Sequence, residues 1–116
     1  MRESIGQSDM DAPPVRGGVE YEIRDDGSLI GTWSFAGFNG QIGLEWATGG
    51  KPGVIEGGYE VHIYNARGKN VFHGALEVVR EGGTYQMKWV GDDNAVYYGI
   101  GMKVGSSRLA AAYWNE

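Results

Sequence analysis

The chain has 116 residues and a formal net charge of −5, and this length is typical of one domain. It has no cysteine, which excludes disulfide frameworks and thiolate metal sites. Its ten lysines and arginines are scattered singly rather than clustered, so we predict no nucleic-acid partner. No segment is long and apolar enough to cross a bilayer, and none has the apolar centre of a secretory signal, so we predict no membrane association and a cytoplasmic location.

The first 18 residues differ in composition from the rest of the chain. They are polar, hold two of the three prolines and show no apolar periodicity. We therefore predict a flexible polar N-terminal tail over residues 1–18 and a β-barrel domain over residues 19–116.

From Val19 onward, apolar residues stand at nearly every second position in eight short segments, which are joined mostly by Gly, Asp and Asn turns. A period of two is typical of β-strands, and hairpin-linked strands with one apolar face must close to bury it. The fold class predicted is all-β, as a single antiparallel up-and-down eight-stranded barrel. A two-sheet β-sandwich of the same strands is the alternative.

Turn lengths predict the registers of the hairpins, because residues that face each other lie on the same side of a sheet. In the first hairpin, a three-residue turn with Gly27 in the left-handed conformation sets Val19 against Trp33. The same reasoning predicts the pairs Trp33 with Leu44, His62 with His73, Leu76 with Met87, Met87 with Tyr98, and Met102 with Leu109.

The one long connection, residues 47–56, is rich in glycine and is predicted to be either a lid at the barrel mouth or a plain surface loop. The paired carboxylates Asp25-Asp26 and Asp92-Asp93 fall at hairpin turns, where Asp is favoured for local hydrogen bonds.

The predicted inner face carries many aromatic side chains and no charged residue, so we predict no catalytic group there. A small eight-stranded barrel is either filled by such side chains or holds one small ligand. The residues predicted to bind that ligand are Tyr21, Trp33, Trp46, Tyr59, Phe72, Tyr85, Trp89, Tyr98 and Tyr113.

Two histidines, His62 and His73, are predicted to face each other on the outer surface, with Glu60 and Glu77 on the same side. Such a pair binds a transition metal weakly, and the sequence fixes no third ligand. We therefore predict neither a metal nor a cofactor.

The last two strands lack a polar face in this register, which leaves a smooth strip of small residues flanked by aromatics. Exposed apolar strips are usually covered, and a flat one allows a second sheet to pack closely. We predict a homo-oligomer, with a dimer favoured, whose interface is Tyr97, Gly99, Gly101, Ala110, Ala112 and Trp114. Cover by the N-terminal tail or by another protein is the alternative, and inverted faces would expose Tyr98, Ile100 and Met102 instead.

The eight-stranded meander, with Gly31-Thr32-Trp33 near its start and four tryptophans, resembles the calycins, which are the lipocalins, the fatty-acid-binding proteins and the relatives of avidin. This resemblance implies a barrel that holds a small, largely apolar ligand, in proteins that are mostly not enzymes.

The function predicted is a non-enzymatic barrel that binds a small apolar or aromatic molecule and self-associates. A protein-interaction or regulatory module with a filled barrel and an outer docking strip is the alternative, and an enzyme that uses inner tyrosines is a third reading. An internal cavity of about 300 Å³ or more favours the first or third of these functions, and a filled interior favours the second.

Overall fold

The computed structural model describes residues 15–115 as a closed barrel of eight antiparallel strands in up-and-down order, which confirms the predicted fold. The strands, numbered in chain order, are β1 Arg16–Ile23, β2 Leu29–Phe35, β3 Gly43–Thr48, β4 Gly57–Tyr64, β5 Asn70–Glu81, β6 Thr84–Gly91, β7 Val96–Val104 and β8 Arg108–Asn115. β1 begins at Arg16 rather than Val19, and residues 1–14 of the predicted tail lie outside the described residues. Within the described range, no helix is long and apolar enough to span a membrane.

The β1–β2 hairpin has the predicted register. Val19 pairs with Trp33 and Ile23 pairs with Leu29. Gly27 has φ 91°, the left-handed conformation that the bulge requires, and the Asp26 carboxylate accepts hydrogen bonds from the backbone N–H of Ser28 at 2.9 Å and from its hydroxyl at 2.6 Å. The turn chemistry and the apolar pattern agree here, so the register could be read from the sequence.

The predicted register of β2 with β3 is wrong by one residue. Trp33 pairs with Gly43 rather than Leu44, so Leu44 and Trp46 point outward and Glu45 points inward. A one-residue slip exchanges the two faces of a strand. The physical reason is space, because a Cβ at position 43 would overlap the indole ring of Trp33.

The predicted faces of β7 are also inverted, for the same reason. Met87 pairs with Gly99 rather than Tyr98, and Gly101 pairs with Ala111. A Cβ on Gly99 would lie 2.8 Å from the ring of Trp89. The large side chains of β6 fill the narrow interior, so the facing positions of β7 must be small.

The remaining hairpins keep the predicted faces. His62 pairs with His73 as predicted. Leu76 pairs with Trp89 rather than Met87, but this shift of two residues leaves both strands with the same face inward.

The long connection between β3 and β4 closes one end of the barrel. Ile55 is 7% exposed and belongs to the core, and the Tyr59 hydroxyl donates to the Ile55 carbonyl oxygen at 2.7 Å. The turn at Gly27 packs against the backbone of Gly50. Residues 51–54 are exposed, so the segment is largely a surface loop, as one predicted alternative has it, anchored to the core by Ile55. We call it the plug.

Candidate ligand cavity

The end of the barrel opposite the plug contains a cavity of about 370 Å³ that opens to solvent. This volume lies at the lower end of the range for small-molecule sites. Most of its lining is apolar, and seven of the lining side chains are aromatic. The lining residues are Val15, Val19, Trp33, Phe35, Phe38, Glu45, Ile63, Asn65, Val71, Phe72, Trp89, Tyr97 and Tyr113.

One wall of the cavity is a stack of three aromatic rings. The ring of Phe38 lies 4.9 Å from that of Trp33 and 4.8 Å from that of Phe35, with nearly parallel planes. Trp33 is fixed by a hydrogen bond of 3.1 Å from its indole N–H to the Leu44 carbonyl oxygen. Phe38 is placed by a turn after β2, in which its backbone N–H donates to the Phe35 carbonyl oxygen at 3.1 Å.

The opposite wall is formed by aromatic residues of β6, β7 and β8. The Tyr113 ring meets those of Trp89 and Tyr97 edge to face, with centroid distances of 6.1 and 6.3 Å. The Tyr113 hydroxyl donates to the Ser34 carbonyl oxygen at 2.9 Å, and burial raises the pKa of this hydroxyl well above its usual range. These contacts fix the orientation of the Tyr113 ring, which lines the cavity together with Trp89 and Tyr97.

Glu45 is the one acidic residue among those that line the cavity, and it is 3% exposed. Its Oε2 accepts a hydrogen bond of 2.7 Å from the Tyr21 hydroxyl and one of 3.1 Å from the Trp89 indole N–H. Among residues 15–115, no donor hydrogen-bonds to its other oxygen, Oε1. One oxygen of the carboxylate is therefore hydrogen-bonded by the protein, and the side chain that carries the other lines the cavity.

Burial dominates the acid–base behaviour of this group. It raises the pKa of Glu45 to about 7, although the hydrogen bonds from Tyr21 and Trp89 act in the opposite direction. Burial, together with the adjacent Glu45 carboxylate, also raises the pKa of Tyr21 well above 10.0. Tyr21 is therefore a hydrogen-bond donor at neutral pH, while the Glu45 carboxyl titrates close to neutral pH.

The structure brings together part of the predicted ligand-binding set. Trp33, Phe72, Trp89 and Tyr113 line the cavity, and Tyr21 lies beneath it. Tyr59 and Tyr85 are buried in the closed half of the barrel, which is the half next to the plug, and they do not line the cavity.

The predicted inward orientation of Trp46 and Tyr98 is wrong. Trp46 is 46% exposed and pairs with Ile30 and His62 on the outer surface, while Tyr98 pairs with Trp114 there. Both errors follow from the inverted faces of their strands.

Sequence reasoning missed Glu45, because the apolar neighbours Leu44 and Trp46 were assigned to the interior. The prediction that no charge lies on the inner face is therefore wrong. The available indication was Gly43, since a strand glycine marks a place where another group approaches closely.

The outer strip also differs from its prediction. Tyr97, Gly99 and Gly101 point into the barrel and cannot form an outer interface. On β7 the exposed residues are those expected if its faces were inverted, and on β8 they are the residues that were predicted to form the interface. We call this exposed set the β7–β8 outer face: Tyr98, Ile100, Met102, Ala110, Ala112 and Trp114.

Comparisons of the chain with protein-family models, with curated proteins and with solved structures found no match.

Proposed function

We propose that this barrel binds a small apolar or aromatic molecule that carries an amine, and that it does so as a binding protein rather than as an enzyme. The observation that carries the proposal is the Glu45 carboxylate, which lies 97% buried inside an aromatic cavity with one oxygen free of donors from residues 15–115.

The apolar part of the ligand is inferred from the lining. Trp33, Ile63, Phe72, Tyr97 and Tyr113 pack against the core but remain only partly buried. Covering such side chains with an apolar ligand is favourable by roughly 25 cal/mol per Å² of apolar surface removed from water. Aromatic rings also favour a flat aromatic ligand through offset or edge-to-face contacts.

The amine is inferred from the charge balance of the cavity. A buried carboxylate is costly unless it is paired, and the two donors on Oε2 are both neutral. An ammonium group on the ligand would place its charge beside Oε1 and against the surrounding aromatic faces, both of which attract cations. The resemblance to calycins supports a ligand inside the barrel but gives no indication that the ligand carries an amine.

The test compares two probes that share one ring, tryptamine and indole, by calorimetric titration of the full chain at pH 8, where Glu45 is mostly ionised. We expect tryptamine to bind about tenfold more tightly than indole or better, because it alone supplies the ammonium group. Glu45→Gln keeps an oxygen for Tyr21 and Trp89 but presents an amide to the cavity, so it should remove the difference between the probes.

Two matched tryptophan variants control this test. Trp33→Ala should weaken both probes, whereas Trp46→Ala, on the outer surface, should change neither. Equal affinity of the two probes for the unmodified chain would contradict the role of the amine. Failure of both probes to bind would contradict the cavity itself as a ligand site.

We also propose that a second copy of the chain covers the β7–β8 outer face, in which Ile100 is 40% exposed and Met102 is 59% exposed. Charges of both signs lie beside this face. Arg108 donates to Glu20 at 3.2 Å along one side, and Lys88 pairs with Tyr98 on the other. A two-fold contact brings the same patch of each copy together, so a rim with both signs suits a symmetric dimer.

Ile100→Glu tests this proposal, with Leu44→Glu as the control, because Leu44 is 39% exposed on the opposite wall of the barrel. Analytical ultracentrifugation should show a dimer for the unmodified chain and for Leu44→Glu, and a monomer for Ile100→Glu. A monomeric unmodified chain, or a dimer lost in Leu44→Glu alone, would rule out the β7–β8 outer face as the interface.

A further inference from the structure

A second cluster of titratable side chains lies outside the barrel, on the outer surface of β4 and β5. His62 and His73 are cross-strand partners, and their rings lie 4.4 Å apart. Glu60 stands two residues before His62, so the pleat of β4 turns both side chains to the same face. The Glu60 Oε2 lies 3.0 Å from the Nε2 of His73 and 3.8 Å from the Nε2 of His62.

A fourth residue fixes the orientation of one histidine. The Nδ1 of His73 lies 2.5 Å from the Oδ2 of Asp92, and the Asp92 backbone N–H donates to the His73 carbonyl oxygen at 2.9 Å. With Nδ1 held by this carboxylate, the Nε2 of His73 is directed toward Glu60. A carboxylate on the outer nitrogen of a histidine is the usual support of a histidine that binds a metal.

We propose that Glu60, His62 and His73 form a surface site for Zn²⁺, with Asp92 as the group that positions His73. Among the described residues, one ligand atom from each of these three lies within 4.8 Å of the other two. In a tetrahedral site with bonds of about 2.1 Å, ligand atoms are separated by roughly 3.4 Å. The two separations from Glu60, 3.0 and 3.8 Å, lie on either side of that value, and the two histidine nitrogens come within 4.8 Å of each other, so binding requires side-chain rotations that draw the three atoms together.

The donor set indicates the kind of ion. Two imidazoles and one carboxylate suit borderline transition metals such as Zn²⁺ and do not suit Mg²⁺ or Ca²⁺, which prefer oxygen ligands. Three protein ligands leave the fourth position of a zinc ion to water, and the partly exposed histidine side chains leave that position accessible.

The same residues suggest a competing interpretation, in which a proton takes the place of the metal. The hydrogen bonds that the His73 ring donates to Glu60 and then to Asp92 raise the pKa of His73, as expected for a charged imidazole between two carboxylates. In that case the cluster is an exposed ion-pair network, and zinc would not bind to it in preference to other surface histidines. The experiment below separates the two interpretations.

The test is a calorimetric titration of the full chain, first stripped with a chelator, with ZnCl₂ at pH 7.5. We expect one zinc ion per chain, with about tenfold weaker binding in His62→Gln and in His73→Gln. Asp92→Asn should also weaken binding by tenfold or more, since loss of an outer carboxylate typically has that effect. Glu77→Gln is the matched control, because Glu77 lies on the outer face of β5 outside the cluster and its loss should change nothing.

The ring signals of His62 and His73 in NMR spectra of the unmodified chain give a second readout that requires no variant. Both should shift together and saturate at one equivalent of zinc. The proposal is overturned if no heat appears at millimolar zinc, if the ring signals do not move, or if binding is equal in the unmodified chain and in both histidine variants.

Discussion

The two ends of this barrel are built from the same eight strands but differ in how they are filled. At the plugged end, Leu29 is 1% exposed, Tyr59 is 4% exposed and Ile55 seals the opening. At the open end, aromatic side chains surround a cavity and remain partly exposed, and a carboxylate lies at its base. The closed half thus provides the packed core that a small domain needs, which frees the open half to hold a polar group that reduces stability.

The largest expected difference between the ends is in packing. Leu29→Ala should lower the free energy of unfolding by about 2–5 kcal/mol, because it leaves a hole in the closed half. Phe38→Ala, at the mouth of the cavity, should cost about 1 kcal/mol or less, since Phe38 mainly loses ring stacking. Urea unfolding measures both, and equal losses at the two positions would contradict the division into a packed half and an open half.

The second expected difference is a dependence of stability on pH that belongs to the open end. Burial raises the pKa of Glu45 from 4.5 to about 7, so the folded state holds the proton more tightly than the unfolded state. Stability should therefore fall as the pH rises from about 4.5 through about 7, by about 3 kcal/mol in total, and should then level off.

Glu45→Gln should remove this loss, because an amide does not titrate in that range. Urea unfolding between pH 4.5 and pH 8 compares the two proteins, and the difference between their curves isolates Glu45 from the other carboxylates. A difference that stays constant with pH would show that Glu45 is not held in the neutral form by burial.

The smallest expected difference concerns two tyrosine hydroxyls. Tyr59→Phe removes the donor to the Ile55 carbonyl oxygen in the closed half, and Tyr113→Phe removes the donor to the Ser34 carbonyl oxygen near the mouth. We expect a loss of about 1–2 kcal/mol for Tyr59→Phe and about 0.5–1 kcal/mol for Tyr113→Phe, because a carbonyl near the opening can bond to water instead.

Amide hydrogen exchange tests whether each tyrosine hydroxyl affects only its own end of the barrel. Tyr59→Phe should speed exchange in residues 49–56, and Tyr113→Phe should leave that segment unchanged. If Tyr113→Phe were to loosen the plug as much as Tyr59→Phe, the two ends would not be independent.

The faces of β1 and β2 were easier to predict from the sequence than those of β3 and β7, and the reason is physical. Alternation of apolar residues, with turn residues such as Gly27, fixes which face of β1 and β2 is inside. At Gly43 and Gly99, however, the inner position is empty because Trp33 and Trp89 fill the space from the neighbouring strand. Alternation alone then assigns the larger neighbours to the interior, which inverts the face of the strand.

The same inversion hid the candidate site. Glu45 was assigned to solvent with the polar face of β3, although the structure buries it beneath the cavity. A buried acid is indistinguishable in sequence from an exposed one, because its partners, Tyr21 and Trp89, lie on strands far away in the chain. The predicted cross-strand pair of His62 and His73 depended only on a local turn and is confirmed.

The most direct test of the ligand-binding claim is an NMR titration of the full chain with tryptamine, followed on the indole N–H signals of the four tryptophans. Trp33 and Trp89 line the cavity, and the Trp89 indole N–H donates to Glu45 itself, whereas Trp46 and Trp114 lie on the outer surface. We predict saturable shifts of the Trp33 and Trp89 signals, with those of Trp46 and Trp114 unmoved. Shifts confined to Trp46 or Trp114, or no shift at any of the four, would contradict a ligand site at the open end.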